Sequence, residues 1–297
     1  MKNIFIVLLI VVFVGIGIYL FKNQTPTTDI KTDTTQLEDQ IKDTEDVIQD
    51  KESIIGKSVE GRDITAYHYG TGETELLFVG GIHGGYSWNT VLLAYELMDY
   101  LEVNPNAVPS EVKVTVIPVL NPDGLNKVAG TPGRFLESDI SSSQTVVVSG
   151  RFNANKVDLS RNFDCNWKSS AVWQTRSVSG GSSVFSEPES KAVRDYVQAH
   201  NISGAVVWYS AAGGVYASSC NGEGVSTETS AITNVYADAS GYPAHENFDF
   251  YETTGDMVDW LAKIDVPAIS VLLSTHEDVE WEKNKKGIEA FIEYYAK

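Results

Sequence analysis

The stretch Leu76-Leu77-Phe78-Val79-Gly80-Gly81-Ile82-His83-Gly84-Gly85-Tyr86-Ser87-Trp88-Asn89-Thr90 limits what this chain can fold into more than any other. An apolar run ends in a glycine pair, one histidine follows, a second glycine pair permits a turn, and helical spacing begins near Trp88. The pattern predicts a strand, a tight turn and a helix, with the His83 imidazole held at the carboxyl edge of the strand. In open α/β sheets that edge is where ligands bind. A histidine placed there ligates zinc when a carboxylate follows within one helical turn and a second histidine arrives from a later strand end. Tyr86 and Ser87 stand where the carboxylate is needed, and Ser87 reads equally as an N-cap for the helix. Taken alone, His83 reads as a hydrogen-bonded turn histidine as readily as a ligand.

The segments around it carry the same alternation. Strands are expected at Ile64 to Tyr69, Leu76 to Gly80, Val112 to Leu120, Ala205 to Tyr209 and Ala268 to Leu273. Helices are expected at Trp88 to Glu102, Glu187 to His200, Ser226 to Ala239, Gly255 to Ile264 and Val279 to Tyr295. Between Asn121 and Pro188 the sequence reads as one long Gly-, Ser- and Asn-rich loop region that builds a binding surface. Near-continuous apolar strands between helices predict an α/β fold: a mixed, mostly parallel sheet covered by helices on both faces.

Ahead of this part, Ile4 to Phe21 is uncharged and flanked by Lys2 and Lys22. It is long enough to span a bilayer core, where roughly 20 apolar residues are needed, and no small-x-small cleavage site follows it. An uncleaved signal anchor over residues 1–22 is the first expectation and a cleaved signal peptide the second. Residues 23–52, rich in Thr, Asp and Gln, then form a tether, and residues 53–297 a globular domain outside the cytoplasm. The formal net charge of −18 argues against nucleic acid as a partner. The chain has two cysteines, Cys165 and Cys220. An even count in an exported chain points to one disulfide, with two free buried thiols as the alternative.

Five motifs in order resemble the zinc metallocarboxypeptidase family, in particular its exported bacterial members. They are Gly56-Lys57-Ser58-Val59-Glu60-Gly61-Arg62, Gly80 to Tyr86, Asn121-Pro122-Asp123-Gly124, Arg151 to Phe163, and Tyr251 to Trp260. The family's chemistry uses two His and one Glu on zinc, a Glu general base and arginines for the oxyanion and the terminal carboxylate. The resemblance implies that His83 is the one retained zinc ligand. It places the Glu ligand on Ser87, the second His ligand on Tyr209 and the general base on Leu272. Of the carboxylate-binding Asn-Arg pair, the first has become Ser160 and Arg161 remains. Arg151 matches the oxyanion arginine, Tyr251 the mobile tyrosine over the substrate, and Val258 the specificity pocket.

One imidazole does not make a zinc site, and Leu272 cannot accept a proton. Together with the apolar run Ile4 to Phe21, the resemblance therefore implies a membrane-anchored, extracytoplasmic carboxypeptidase-like protein without catalysis or cofactor. It would bind peptide C-termini or cell-wall peptides through Arg151, Arg161, Tyr251, Ser160 and Val258. The alternative is an active zinc carboxypeptidase with an atypical metal site using Tyr86, Tyr209 or His276. A scaffold with an unused cleft is a third reading. His276, Glu277 and Asp278 are the candidates for a relocated metal site, whereas His68, His200 and His245 are expected to be structural.

Overall fold

The computed structural model describes residues 51–297. The expected anchor over Ile4 to Phe21, and all of the tether before Lys51, lie outside the described residues. Within them, no helix is long and apolar enough to cross a membrane.

The chain runs β1 (Glu52–Lys57), β2 (Asp63–Tyr69), β3 (Thr74–Val79), α1 (Trp88–Val103), β4 (Val112–Ile117), α2 (Pro122–Ala129), α3 (Gln144–Ser149), β5 (Ser170–Trp173), β6 (Arg176–Ser179), α4 (Pro188–Ala199), β7 (Ile202–Ser210), β8 (Gly214–Ala217), α5 (Thr227–Ser240), β9 (Ala244–His245), α6 (Met257–Lys263), β10 (Ala268–Leu273) and α7 (Trp281–Tyr295). Eight strands form one sheet in the order β1-β2-β4-β3-β7-β10-β8-β9, and β5 and β6 form a separate hairpin. The centre is parallel, since β3 pairs with β4 and β7, and β7 pairs with β10 in the same sense. Antiparallel β1-β2, β2-β4 and β10-β8 pairs flank it.

Strand periodicity sorts the core. On β3, Leu76 and Phe78 face one side and Leu77 and Val79 the other, as successive strand residues must. On β7, Val206 and Trp208 join the first side, and Ala205, Val207 and Tyr209 the second. Helices α1, α5 and α7 cover the first face with Val91, Leu97, Ile232, Tyr236, Ile288 and Phe291. Helices α4 and α6 cover the second with Val193, Met257 and Leu261. The expected two-sided α/β layering is therefore present.

Several expectations change. Residues 121–188 are not one loop: they hold α2, α3 and the β5-β6 hairpin. Asn121-Pro122-Asp123-Gly124 reads as the opening of that loop, but the Asn121 side chain accepts from the Gly124 amide and Pro122 occupies the first turn, which starts a helix. Strands β1 and β8 carry weak sequence signals, because β1 has little apolar content and β8 begins on the second residue of a Gly-Gly pair that reads as loop. The third strand ends at Ile117 rather than Leu120. Ser87 holds the N-cap position of α1 but makes no capping bond; its Oγ is buried without a hydrogen-bond partner. A single 3-10 turn, Gly84–Ser87, leads into the helix instead. Gly84 there has φ +44, and a Cβ would meet the Gly124 backbone at 2.9 Å, so the position needs glycine.

Phe78 is fully buried, stacked on Trp208 and edge-on to Phe291, with both centroid distances 5.6 Å. Phe78→Ala is expected to lower unfolding free energy by about 3–5 kcal/mol, read from a denaturant titration. A loss below about 1 kcal/mol would show that this face of the core refills the space.

Candidate functional site

The sheet order reverses around β3, because β4 lies on one side of it and β7 on the other. The carboxyl ends of these parallel strands open onto a cleft of about 640 Å³. His83 follows β3, Tyr209 lies near the end of β7, and Leu272 pairs with Tyr209 in the β10 register. The turn Leu159–Arg161 brings Ser160 and Arg161 to the same cleft, and α6 supplies Val258. Arg151 and Tyr251 also line it. Of the residues singled out from sequence, Ser87 is absent from the cleft wall; Tyr86 takes that place.

His83 has no nitrogen to spare. Arg151 Nη1 lies 3.2 Å from its Nδ1, and Ser160 Oγ lies 2.9 Å from its Nε2. A guanidinium only donates, so Nδ1 accepts and the proton sits on Nε2. Nε2–H then donates to Ser160 Oγ, and Ser160 donates on to Asp158 Oδ1 at 2.9 Å. Arg151 Nε donates to Asp158 Oδ2 at 2.8 Å and closes the ring. Burial, with the Arg151 charge second, pushes the His83 pKa down to about 3. The imidazole is neutral at physiological pH. Burial alone would raise the Asp158 carboxyl, but the Arg151 guanidinium and the His83 contact hold it well below the usual carboxylate range.

The ring resembles a Ser-His-Asp constellation, yet it cannot activate Ser160. His83 Nε2 already carries the proton, so it cannot accept the Ser160 proton as a general base must.

Aromatic rings clamp both arginines. The Arg151 guanidinium carbon lies 4.4 Å from the Trp173 ring centre and 5.7 Å from that of Tyr86, which faces Trp173 edge-on at 5.0 Å. Arg161 lies under Tyr251, with its guanidinium carbon 5.9 Å from that ring's centre. Arg161 Nη1 donates to the Ser160 carbonyl at 2.6 Å and to Ser160 Oγ at 3.1 Å, and Nε to the Val172 carbonyl at 3.2 Å. Its Nη2 has no hydrogen-bond partner among the described residues. The nearest carboxylate, Asp256, stands 3.9 Å from Nη1, an ion pair without a hydrogen bond.

Zinc does not fit these residues. The Nδ1 lone pair is directed at a guanidinium, where a metal would meet a fixed positive charge. Burial, followed by the Asp256 charge, pushes the Tyr209 phenol well above its ordinary value, so it stays protonated. Leu272 and Ser87 offer no carboxylate, and no group of three or more His, Cys, Asp or Glu able to hold a metal is found among the described residues. His276 does reach the cleft, with its ring 4.5 Å from Tyr86, but Glu277 and Asp278 point to solvent. Elsewhere His200 bonds Glu75 at 3.0 Å, His68 contacts Ser53 and Thr115, and His245 stacks on Tyr216.

Cys165 and Cys220 form the expected disulfide. It ties the segment after Arg161 to the loop after β8; the Gly255 amide bonds the Cys165 carbonyl at 2.7 Å, steadying the start of α6.

Sequence reasoning missed four participants. Asp158 precedes Ser160-Arg161 within a motif already singled out, and Asp256 sits directly before a helix, where an aspartate reads as a cap. Trp173 belongs to the hairpin taken for loop, and Asp259 lies one helical turn beyond Asp256.

A mixed, mostly parallel sheet whose carboxyl edge presents a histidine and two buried arginines to one cleft defines a carboxypeptidase-like α/β protein. The zinc carboxypeptidase family model matches residues 36–290. The chain belongs to that family. Among curated proteins, bacteriocin BCN5 of Clostridium perfringens is 30% identical over 150 residues, 49% of this chain but 15% of that one. Carboxypeptidase A from Helicoverpa armigera shares the fold with a TM-score of 0.67 at 19% identity, over 88% of this chain and 71% of that one. Murein-tripeptide amidase MpaA from Escherichia coli O157 does so with a TM-score of 0.55 at 18% identity, over 85% and 94%.

Arg151→Gln is expected to cost about 3–5 kcal/mol of stability, since it leaves Asp158 buried and charged without its partner. Chemical denaturation of the variant beside Lys168→Gln, which removes an exposed ion pair with Glu252, measures it. Equal small effects would mean that the ring carries no structural weight.

Proposed function

We propose that this protein is a carboxypeptidase-like binding module that holds peptides by their C-terminal carboxylate and does not hydrolyse them. The observation that carries the reading is the closed ring Arg151–His83–Ser160–Asp158. It spends both nitrogens of the retained histidine on protein partners and sets a fixed guanidinium charge against Nδ1. Hydrolysis in this family needs an activated water and a base; Leu272 stands at the position of the base.

The binding half keeps its parts. Arg161 Nη2 is unpartnered in the cleft, a charge-assisted donor for a carboxylate. Tyr251 lies over the guanidinium, and Val258 supplies an apolar wall. The Ile4–Phe21 run supports an anchor that leaves the cleft outside the cytoplasm, and the disulfide is consistent with an oxidising compartment. In that location, cell-wall peptides with free carboxyl ends are within reach, and the fold is shared with an amidase of murein tripeptide.

Two measurements test the reading. After incubation with zinc and removal of excess, bound metal is expected to stay below about a tenth of a mole per mole, because too few protein ligands converge. Stoichiometric zinc would sink the proposal. In titration calorimetry, N-acetylated tripeptides with a free C-terminus should bind, their C-terminal amides should not, and Arg161→Gln should weaken binding by about 1.5–3 kcal/mol, a charged hydrogen bond's worth. Equal binding of acid and amide would remove Arg161 from the account.

A further inference from the structure

The floor of the cleft holds two carboxyl groups beside one available arginine. Asp256, which is 8% exposed, caps α6 by accepting from the Val258 amide at 3.0 Å. Its other contacts are the Tyr209 hydroxyl, which donates at 3.2 Å to Oδ2 and stands 3.4 Å from Oδ1, and Arg161 Nη1 at 3.9 Å. Asp259 lies one helical turn on, lines the same cleft, and among the described residues accepts only the Ser219 amide, at 3.3 Å. Arg151 does not help neutralise this pair, since it is committed to Asp158. Among the described residues Arg161 is therefore the one guanidinium that faces them, and a ligand carboxylate placed on Arg161 Nη2 would be a third negative group around a single positive charge. In a low-dielectric cleft such crowding is relieved by taking up a proton.

We propose that Asp256 is itself a carboxylate-binding residue and works as a carboxylic acid, so that a peptide C-terminus seats on Arg161 together with one proton held by the Asp256-Asp259 pair. The inference rests on the reading that Arg161 takes a terminal carboxylate. The proton becomes the hydrogen of an acid-to-carboxylate bond, and Tyr209 fixes the acid from the other side.

The titration behaviour agrees in direction. Burial raises both carboxyls, with Arg161 opposing the rise at Asp256 and the Asp256 charge adding to it at Asp259, which reaches about 7. A bound anion raises them further. The sign follows: protons are taken up on binding between the free and bound values, so binding is tightest at low pH and weakens as pH rises. The other groups around Asp256 do not change charge in that window. Arg161 from the Leu159–Arg161 turn stays charged, as its pKa is raised; burial would lower it, but Asp158 and Asp256 outweigh that. Asp158 stays ionised and Tyr209 from β7 stays protonated. His83 is neutral, and burial lowers His276 in the loop after β10 below its ordinary 6.5, so it is neutral too. Tyr251, from the segment before α6, meets Arg161 through its ring.

The test is titration calorimetry of the whole protein with an N-acetylated tripeptide acid between pH 6.5 and 8.5, in buffers of different ionisation enthalpy. The expected result is an uptake of about one proton per peptide and a Kd that rises by up to about tenfold per pH unit, the limit for one proton. Asp256→Asn keeps the helix cap and should lose most of that slope; Asp259→Asn, which removes the repelling neighbour, should move the slope to lower pH. Binding without proton exchange, or an unchanged slope in Asp256→Asn, overturns this inference and leaves the Arg161 reading standing. No binding of the peptide acid at any pH overturns both.

Discussion

The buried pair of Arg151 and Asp158 is the constraint on which the site depends. Both groups are almost fully removed from water, Asp158 completely, and two charges taken out of water are costly unless each is met by its partner and by further hydrogen bonds. Here the surplus donors and acceptors are absorbed locally. His83 takes one guanidinium N–H, Ser160 and its own amide satisfy Asp158, and Trp173 and Tyr86 cover the guanidinium with ring faces and edges. Once that ring is closed, the tautomer of His83, its neutrality and the orientation of Ser160 are no longer free. A cleft whose walls are set in this way is pre-organised for binding, because few of its side chains remain to be ordered when a ligand enters.

The same arrangement explains why much of the fold was legible from sequence and much of the site was not. The sheet centre could be read because β3, β7 and β10 are near-continuous apolar runs, the composition that burial on both faces favours. Helices α1, α4, α5 and α7 followed from their spacing. What escaped were short elements whose stability comes from contacts rather than from their own pattern. The hairpin β5-β6 sits in a polar stretch and is held where Trp173 covers Arg151. Strand β8 has only four residues, and its pairing with β10 supplies its order. Helix α2 depends on one side-chain bond at Asn121.

The site residues divide along the same line. Single positions such as His83, Arg151 and Arg161 could be placed by their motifs. Their roles could not, because a role is set by which partner claims each lone pair and each N–H. Arg151 is the clearest case: from sequence it reads as an arginine waiting for an oxyanion, whereas its Nε and Nη1 are bound to Asp158 and His83. Ser87 shows the converse. The sequence offers it as a ligand position or a cap, and it is neither, since the 3-10 turn aims Tyr86 at the cleft and leaves the serine hydroxyl behind.

The residues lining the cleft share a physical direction. Tyr209 and Leu272, register partners on β7 and β10, carry no charge at neutral pH. What charge remains is paired inside the protein, apart from Arg161 Nη2 and the two carboxyls below it. The cleft thus keeps one unspent cation beside a pair of carboxyls that burial makes reluctant to ionise. Catalysis needs a base whose proton affinity matches its task and a charge aimed at the transition state. His83 is held far too acidic when protonated to serve as that base, and the Arg151 charge is already satisfied by Asp158. Freeing His83 for any other partner would disturb more than one contact. The guanidinium of Arg151 would first have to release His83, and Asp158 would then need another cation to justify its burial.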